Sequence, residues 1–146
     1  MEKGFIVVAA AVLVIIGAVG CSSPPAPFKA KPGALPAGTA QLIINGEDAG
    51  TSVAVVCTTV KDLTTIKIGD GPSAEAAMAS NTDRLTVEGV RIHDLNGFTG
   101  SYDHGLGGDA QVTLAGATYH ISGRAEGFHT GDPRLTTESF AIAVSC

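Results

Sequence analysis

The sequence predicts an all-β protein: a two-sheet antiparallel β-sandwich of about eight or nine short strands, closed by one disulfide and preceded by a signal peptide and a proline-rich tether. Three observations predict it. From Gln41 onward, apolar residues recur at alternate positions in short runs broken by Gly, Asn and Asp, the period of strands with one buried face. No long helical pattern interrupts them. Cys57 and Cys146 each fall in register with the apolar face of a strand, so two thiols far apart in sequence are expected to point into one core.

The chain opens with Lys3, an apolar run from Phe5 to Ile16, and the small residues Gly17 to Gly20 before Cys21, the anatomy of an export signal. The run is shorter than the roughly 20 residues a spanning helix needs and has no basic stop-transfer cluster behind it. Ala18-Val19-Gly20-Cys21 resembles a lipobox. That resemblance implies a diacylglycerol on the Cys21 sulfur, cleavage before that residue, and an acylated amino terminus. Ala-x-Gly also suits ordinary signal peptidase, so plain secretion is the alternative. Residues 1–20 are thus read as a removed signal, 21–40 as the acylated cysteine and tether, and 41–146 as the folded domain.

A net charge of −5 argues against nucleic acid as a partner, because no basic stripe is present to displace counterions from phosphates. It also leaves membrane residence to acyl chains on Cys21, each buried methylene contributing about 0.8 kcal/mol. The three cysteines fit the same picture. Acylation of Cys21 leaves Cys57 and Cys146 in an oxidising compartment, where a disulfide is the default. Closing a loop of about 90 residues is worth roughly 4 to 5 kcal/mol in the chain-entropy model. Neither cysteine has a second ligand at metal-binding spacing.

Between Ser22 and Ala40 stand Pro24, Pro25, Pro27, Pro32 and Pro36 among small residues, a composition that favours extended spacers. Leu42 to Ile44 then runs into Asn45-Gly46, and Ser52 to Thr58 places Val53, Val55 and Cys57 on one face. Leu63 to Ile68 alternates with Ile66 and Ile68 inward and Lys67 outward. Ser73 to Ser80 is read as strand although its alanines favour helix by propensity. Leu85 to Ile92 reads as a strand with a bulge at Gly89. Asn96-Gly97 turns the chain into Phe98 to Tyr102, and Val112 and Leu114 share a face before an Ala115-Gly116 turn. Thr118 to Glu126 puts Tyr119, Ile121, Gly123 and Ala125 on one side and His120, Ser122, Arg124 and Glu126 on a solvated one. Asp132-Pro133 marks a turn, and Ser139 to Cys146 closes the domain with Phe140, Ile142, Val144 and Cys146 inward.

Four tracts in order resemble the mycobacterial 19 kDa lipoprotein antigen family: the lipobox followed by Ser22-Ser23, Val55-Val56-Cys57-Thr58-Thr59, Gly116 to Gly127, and Phe140 to Cys146. The resemblance implies an acylated envelope antigen with a β-sandwich domain, located at the extracytoplasmic face of the cell membrane. It also implies no established enzymatic activity, and detection of the acylated terminus by host lipopeptide-sensing Toll-like receptors. Family tethers are Thr-rich and mannosylated. This one has Pro in their place, with only Ser22, Ser23 and Thr39 as acceptors.

The chemical candidates are sparse. His93, His104, His120 and His129 with Asp103 or Asp132 would be needed for a metal site, yet His93 and His120 read as solvated side chains. Ser101, Asp103 and His104 supply the letters of a triad without a nucleophile elbow. Gly105 to Gly108 leads into a strand rather than a helix amino terminus, so it is no phosphate cradle. Glu47 with Asp48, and Asp103 with Asp109, lack calcium-loop spacing. No catalytic residue, cofactor or metal is expected. Two functions follow: a displayed, non-catalytic lipoprotein antigen, or a binding module holding an apolar envelope ligand between its sheets, where small inward residues such as Ala110, Gly123 and Ala125 leave room.

Overall fold

The computed structural model describes residues 34–146 apart from Pro72, Thr82 and Asp83. The signal, Cys21 and the tether up to residue 33 lie outside the described residues. Ten strands follow one another: β1 (Thr39–Ile44), β2 (Glu47–Ser52), β3 (Val55–Val60), β4 (Leu63–Ile68), β5 (Ala74–Asn81), β6 (Arg84–Leu95), β7 (Phe98–Asp103), β8 (Ala110–Ala115), β9 (Thr118–His129) and β10 (Asp132–Ser145).

The hairpins form where the turn chemistry demands. Asn45 and Gly46 have φ of 52° and 78°, and Asn96 and Gly97 have 49° and 77°, the paired positive values of a type I′ turn. The expected bulge is also present. The β5–β6 register shifts between Ala77, opposite Gly89, and Met78, opposite Val87, so Glu88 is the extra residue that bends β6. The alanine-rich segment is strand, as expected: Ala74, Ala76 and Met78 of β5 are buried while Glu75, Ala77 and Ala79 are not, a period of two that packing imposes over helix propensity.

All ten strands belong to one antiparallel sheet, ordered β2-β1-β10-β9-β7-β6-β5-β4-β3, with β8 paired to β9 beside β7. The all-β expectation holds, with ten strands among the described residues and all of them joined in one continuous hydrogen-bonded ladder. β2 and β3 stand at opposite ends of that ladder although only Val53 and Ala54 separate them in sequence. The sheet must therefore roll until its two edges come together. Register shifts in β6, between Ile92 and Leu95, and in β10, between Asp132 and Thr136, supply part of the bending. Inward side chains from seven strands meet in one core, with Phe98, Ile66, Ile68, Met78, Ile121 and Ile142 among the largest fully buried. Burying such residues is the main favourable term for a domain of this size.

Four details depart from the sequence reading. Val53 lies in the bend between β2 and β3 and is exposed, so it does not share the core face of Val55 and Cys57. β2, Glu47–Ser52, is a polar edge strand that apolar alternation does not reveal. The β8–β9 turn falls at Gly116 and Ala117 rather than at Ala115-Gly116. Asp132 and Pro133 open β10, and the hairpin turn lies just before them at Thr130 and Gly131. Pro133 is accommodated because the ladder is irregular there.

Candidate functional site

Cys57 of β3 and Cys146, the residue after β10, form a disulfide with their Cα atoms 5.9 Å apart. Cys57 packs against the core, whereas Cys146 is exposed. The bond thus lies at the rim of the rolled sheet and not, as expected, inside it. The chain enters the domain at this rim. The Leu35 N–H donates to Thr118 Oγ1 at 3.1 Å, and the Gly38 N–H donates to the Ser145 carbonyl at 2.9 Å. Thr118 and Ser145 are themselves partners across β9 and β10. The end of the tether is therefore held against the domain, which no apolar pattern announces. Thr39, one of the glycosylation candidates, opens β1, and its hydroxyl donates to the Pro36 carbonyl at 2.6 Å.

The candidate chemical residues are dispersed. Asp103 accepts from Arg91 at 2.7 Å, while His104 Nδ1 lies 3.6 Å from Glu88. The carboxylate nearest that imidazole is thus Glu88, and the letters of a triad do not form its hydrogen bonds. His129 Nε2 is 2.9 Å from Glu138, and its ring tilts against Phe98 at a centroid distance of 5.6 Å. His93 is exposed. His120 corrects the sequence reading. It sits between Thr113 and Ala143 across the ladder, and both its ring nitrogens are buried without a hydrogen-bond partner among the described residues. Among those residues, no three His, Cys, Asp or Glu side chains gather as a metal site would require. Arg134 lies 2.6 Å from Asp132. This guanidinium holds the Asp132 carboxyl below its ordinary range, and Asp132 in turn raises Arg134.

An open cleft of about 370 Å³ lies under the loop from Leu106 to Asp109, rimmed by Ser101, Asp103, Arg124, Glu126 and Thr137. Its walls are polar, and it differs from the apolar chamber between sheets that the binding-module reading needs. Gly123 does not mark an empty space. A Cβ at Gly123 would overlap the Asp109 carbonyl and Ala110, so glycine there serves the close approach of β8 to β9.

A rolled β-domain stapled at its rim by a disulfide, and joined there to a segment that leads back to a third cysteine, is of the disulfide-bonded class found in oxidising compartments. Comparison with known proteins makes this specific. The chain belongs to the family described as Mycobacterium 19 kDa lipoprotein antigen, whose model matches residues 33–146. It is 33% identical over 160 residues to Lipoprotein LpqH of Mycobacterium tuberculosis (strain ATCC 25618 / H37Rv), covering 100% of this chain and 99% of that protein. It is 35% identical over 112 residues to Lipoprotein LpqH of Mycobacterium avium, covering 75% of this chain and 69% of that protein.

Proposed function

We propose that this chain is a non-catalytic lipoprotein of the cell envelope, anchored by acyl chains on Cys21, with its β-domain displayed on the extracytoplasmic face of the membrane. One observation carries the reading. Of three cysteines, two are joined to each other, and the third stands in the lipobox-like Ala18-Val19-Gly20-Cys21 of a chain in a lipoprotein antigen family. The dispersal of the candidate catalytic and metal-binding side chains supports a display role over an enzymatic one. The acylated terminus is the group that host lipopeptide-sensing Toll-like receptors detect, so the domain serves as its carrier.

Mass spectrometry of the mature amino-terminal peptide tests the anchor, and a diacylglyceryl mass on Cys21 is expected. Cys21→Ala is expected to leave the detergent phase and to lose stimulation of receptor-bearing reporter cells. A bare Cys21, or a variant that still partitions with detergent, overturns the anchor. Equal stimulation by both forms overturns the receptor role alone.

A further inference from the structure

The outer face of the β3–β4 hairpin carries large exposed apolar side chains set among Thr58, Thr65 and Lys67. Val56 and Val60 of β3 are 62% and 63% exposed, Leu63 of β4 is 44% exposed, and Val53 in the adjoining bend is 86% exposed. Val60 and Leu63 are direct cross-strand partners, and Val56 and Val60 share one face of β3. The other edge strand, β2, is guarded differently, carrying Glu47 and Asp48 and a register shift against β1. Several large apolar side chains left exposed on one hairpin of a small domain point to a contact surface.

The position of the patch indicates its partner. Leu35 is bonded to Thr118, Thr118 faces Ser145 across the ladder, and Ser145 precedes Cys146. Cys146 is bonded to Cys57, the residue after Val56. The apolar face thus adjoins the point where the anchored chain enters the domain. A dozen residues separate Cys21 from Ala34, a reach of at most about 45 Å when fully extended. Lys67, the direct cross-strand partner of Val56, is the charge within this face and stands opposite Glu75 across the β4–β5 ladder, while Lys61 precedes Asp62 at the hairpin turn. We propose that this face rests on the lipid bilayer, with Val53, Val56, Val60 and Leu63 at the headgroup–acyl boundary, so that the domain is oriented as well as tethered. The four apolar side chains supply the contact, and Lys67, facing Glu75 across the ladder, leaves little dependence on headgroup charge. The proposal rests on acylation of Cys21 and goes beyond it.

The chain contains no Trp, which makes a single introduced indole a clean reporter. Thr58→Trp places it between Val56 and Val60, and Leu135→Trp places it on an exposed residue at the far end of β10 from Cys146. Each acylated mature variant is bound to phosphatidylcholine vesicles carrying brominated acyl chains, with and without phosphatidylglycerol. The expected result is at least roughly twofold stronger quenching of the Thr58→Trp variant than of the Leu135→Trp variant, equal in both lipid mixtures. Adding Val56→Ser and Val60→Ser should abolish the difference while the protein still sediments with the vesicles. Sedimentation without selective quenching overturns the proposal and leaves the anchor standing. Failure of the acylated protein to sediment defeats both. An emission shift that follows protein density rather than brominated lipid assigns the face to a second copy of the chain, which also overturns the proposal.

Discussion

Cys57 and Cys146 are covalently joined although five strands, β9, β7, β6, β5 and β4, lie between β10 and β3 in the hydrogen-bonded ladder. The bond therefore fastens the sheet after it has rolled. It acts on long-range closure, the costliest kind to hold by weak contacts alone.

Replacing both cysteines, Cys57→Ser with Cys146→Ser, is expected to cost about 3 to 5 kcal/mol, the range for a loop closed across 89 positions. Urea denaturation reads this directly. Reductant should bring the unmodified chain to the same midpoint and leave the double variant unmoved. If the two proteins unfold together without reductant, the bond contributes nothing.

Gly127 of β9 is buried against β7, and a Cβ there would overlap the Thr99 carbonyl and the Gly100 backbone. Backbone cannot swing aside as a side chain can, so Gly127→Ala should destabilise by about 2 to 4 kcal/mol or prevent folding. Gly131→Ala, in a turn with open space around it and φ of 82°, is the milder comparison, at about 1 kcal/mol. Thermal melts that rank the pair the other way would contradict the packing described.

His120 buries two nitrogens without partners among the described residues. An apolar side chain of similar bulk removes that desolvation cost, so His120→Leu should stabilise the domain by about 1 kcal/mol. A loss of stability in chemical denaturation would mean that the imidazole has a bonding role.

The Asp132 carboxyl, lowered chiefly by the Arg134 guanidinium, contributes stability that is present above its unfolded-state pKa and is lost as pH falls through the lower folded-state value. Asp132→Asn should therefore be slightly less stable at neutral pH, with the difference vanishing in acid. Both groups are exposed, so the effect is small and weakens with salt. A gap between the two proteins that widens on acidification would reverse the sign argued here.

Much of this architecture was legible because certain residues admit one local answer. Two Asn-Gly pairs impose consecutive positive φ values, and Gly89 interrupts an otherwise regular run where the ladder takes an extra residue. Alternation in Leu63 to Ile68 named the buried face correctly. It also misled at Val53, because period two continues through a corner whether or not the strand stays with the same neighbour. β2 has a polar composition that gives no alternation to read, and Pro133 resembles a turn until the irregular pairing of β10 is known. His120 lies on the face opposite the core, where sequence assigns solvent and tertiary packing supplies burial instead. The cysteine pair followed from parity and register. Its place at the rim depended on how far the sheet rolls, and no local pattern encodes that.

The Cys57–Cys146 bond makes a closed covalent circle of everything from β4 through β10, with β1 and β2 left outside it. A protease that nicks a loop within the circle, such as the one from His104 to Asp109, produces two pieces that remain attached to each other through sulfur. Detaching the domain from an anchored amino terminus by a single cut requires a site before Cys57. With the proposed amino-terminal anchor, shedding is confined to cuts in the first part of the chain, and a single nick inside the circle leaves the domain in place.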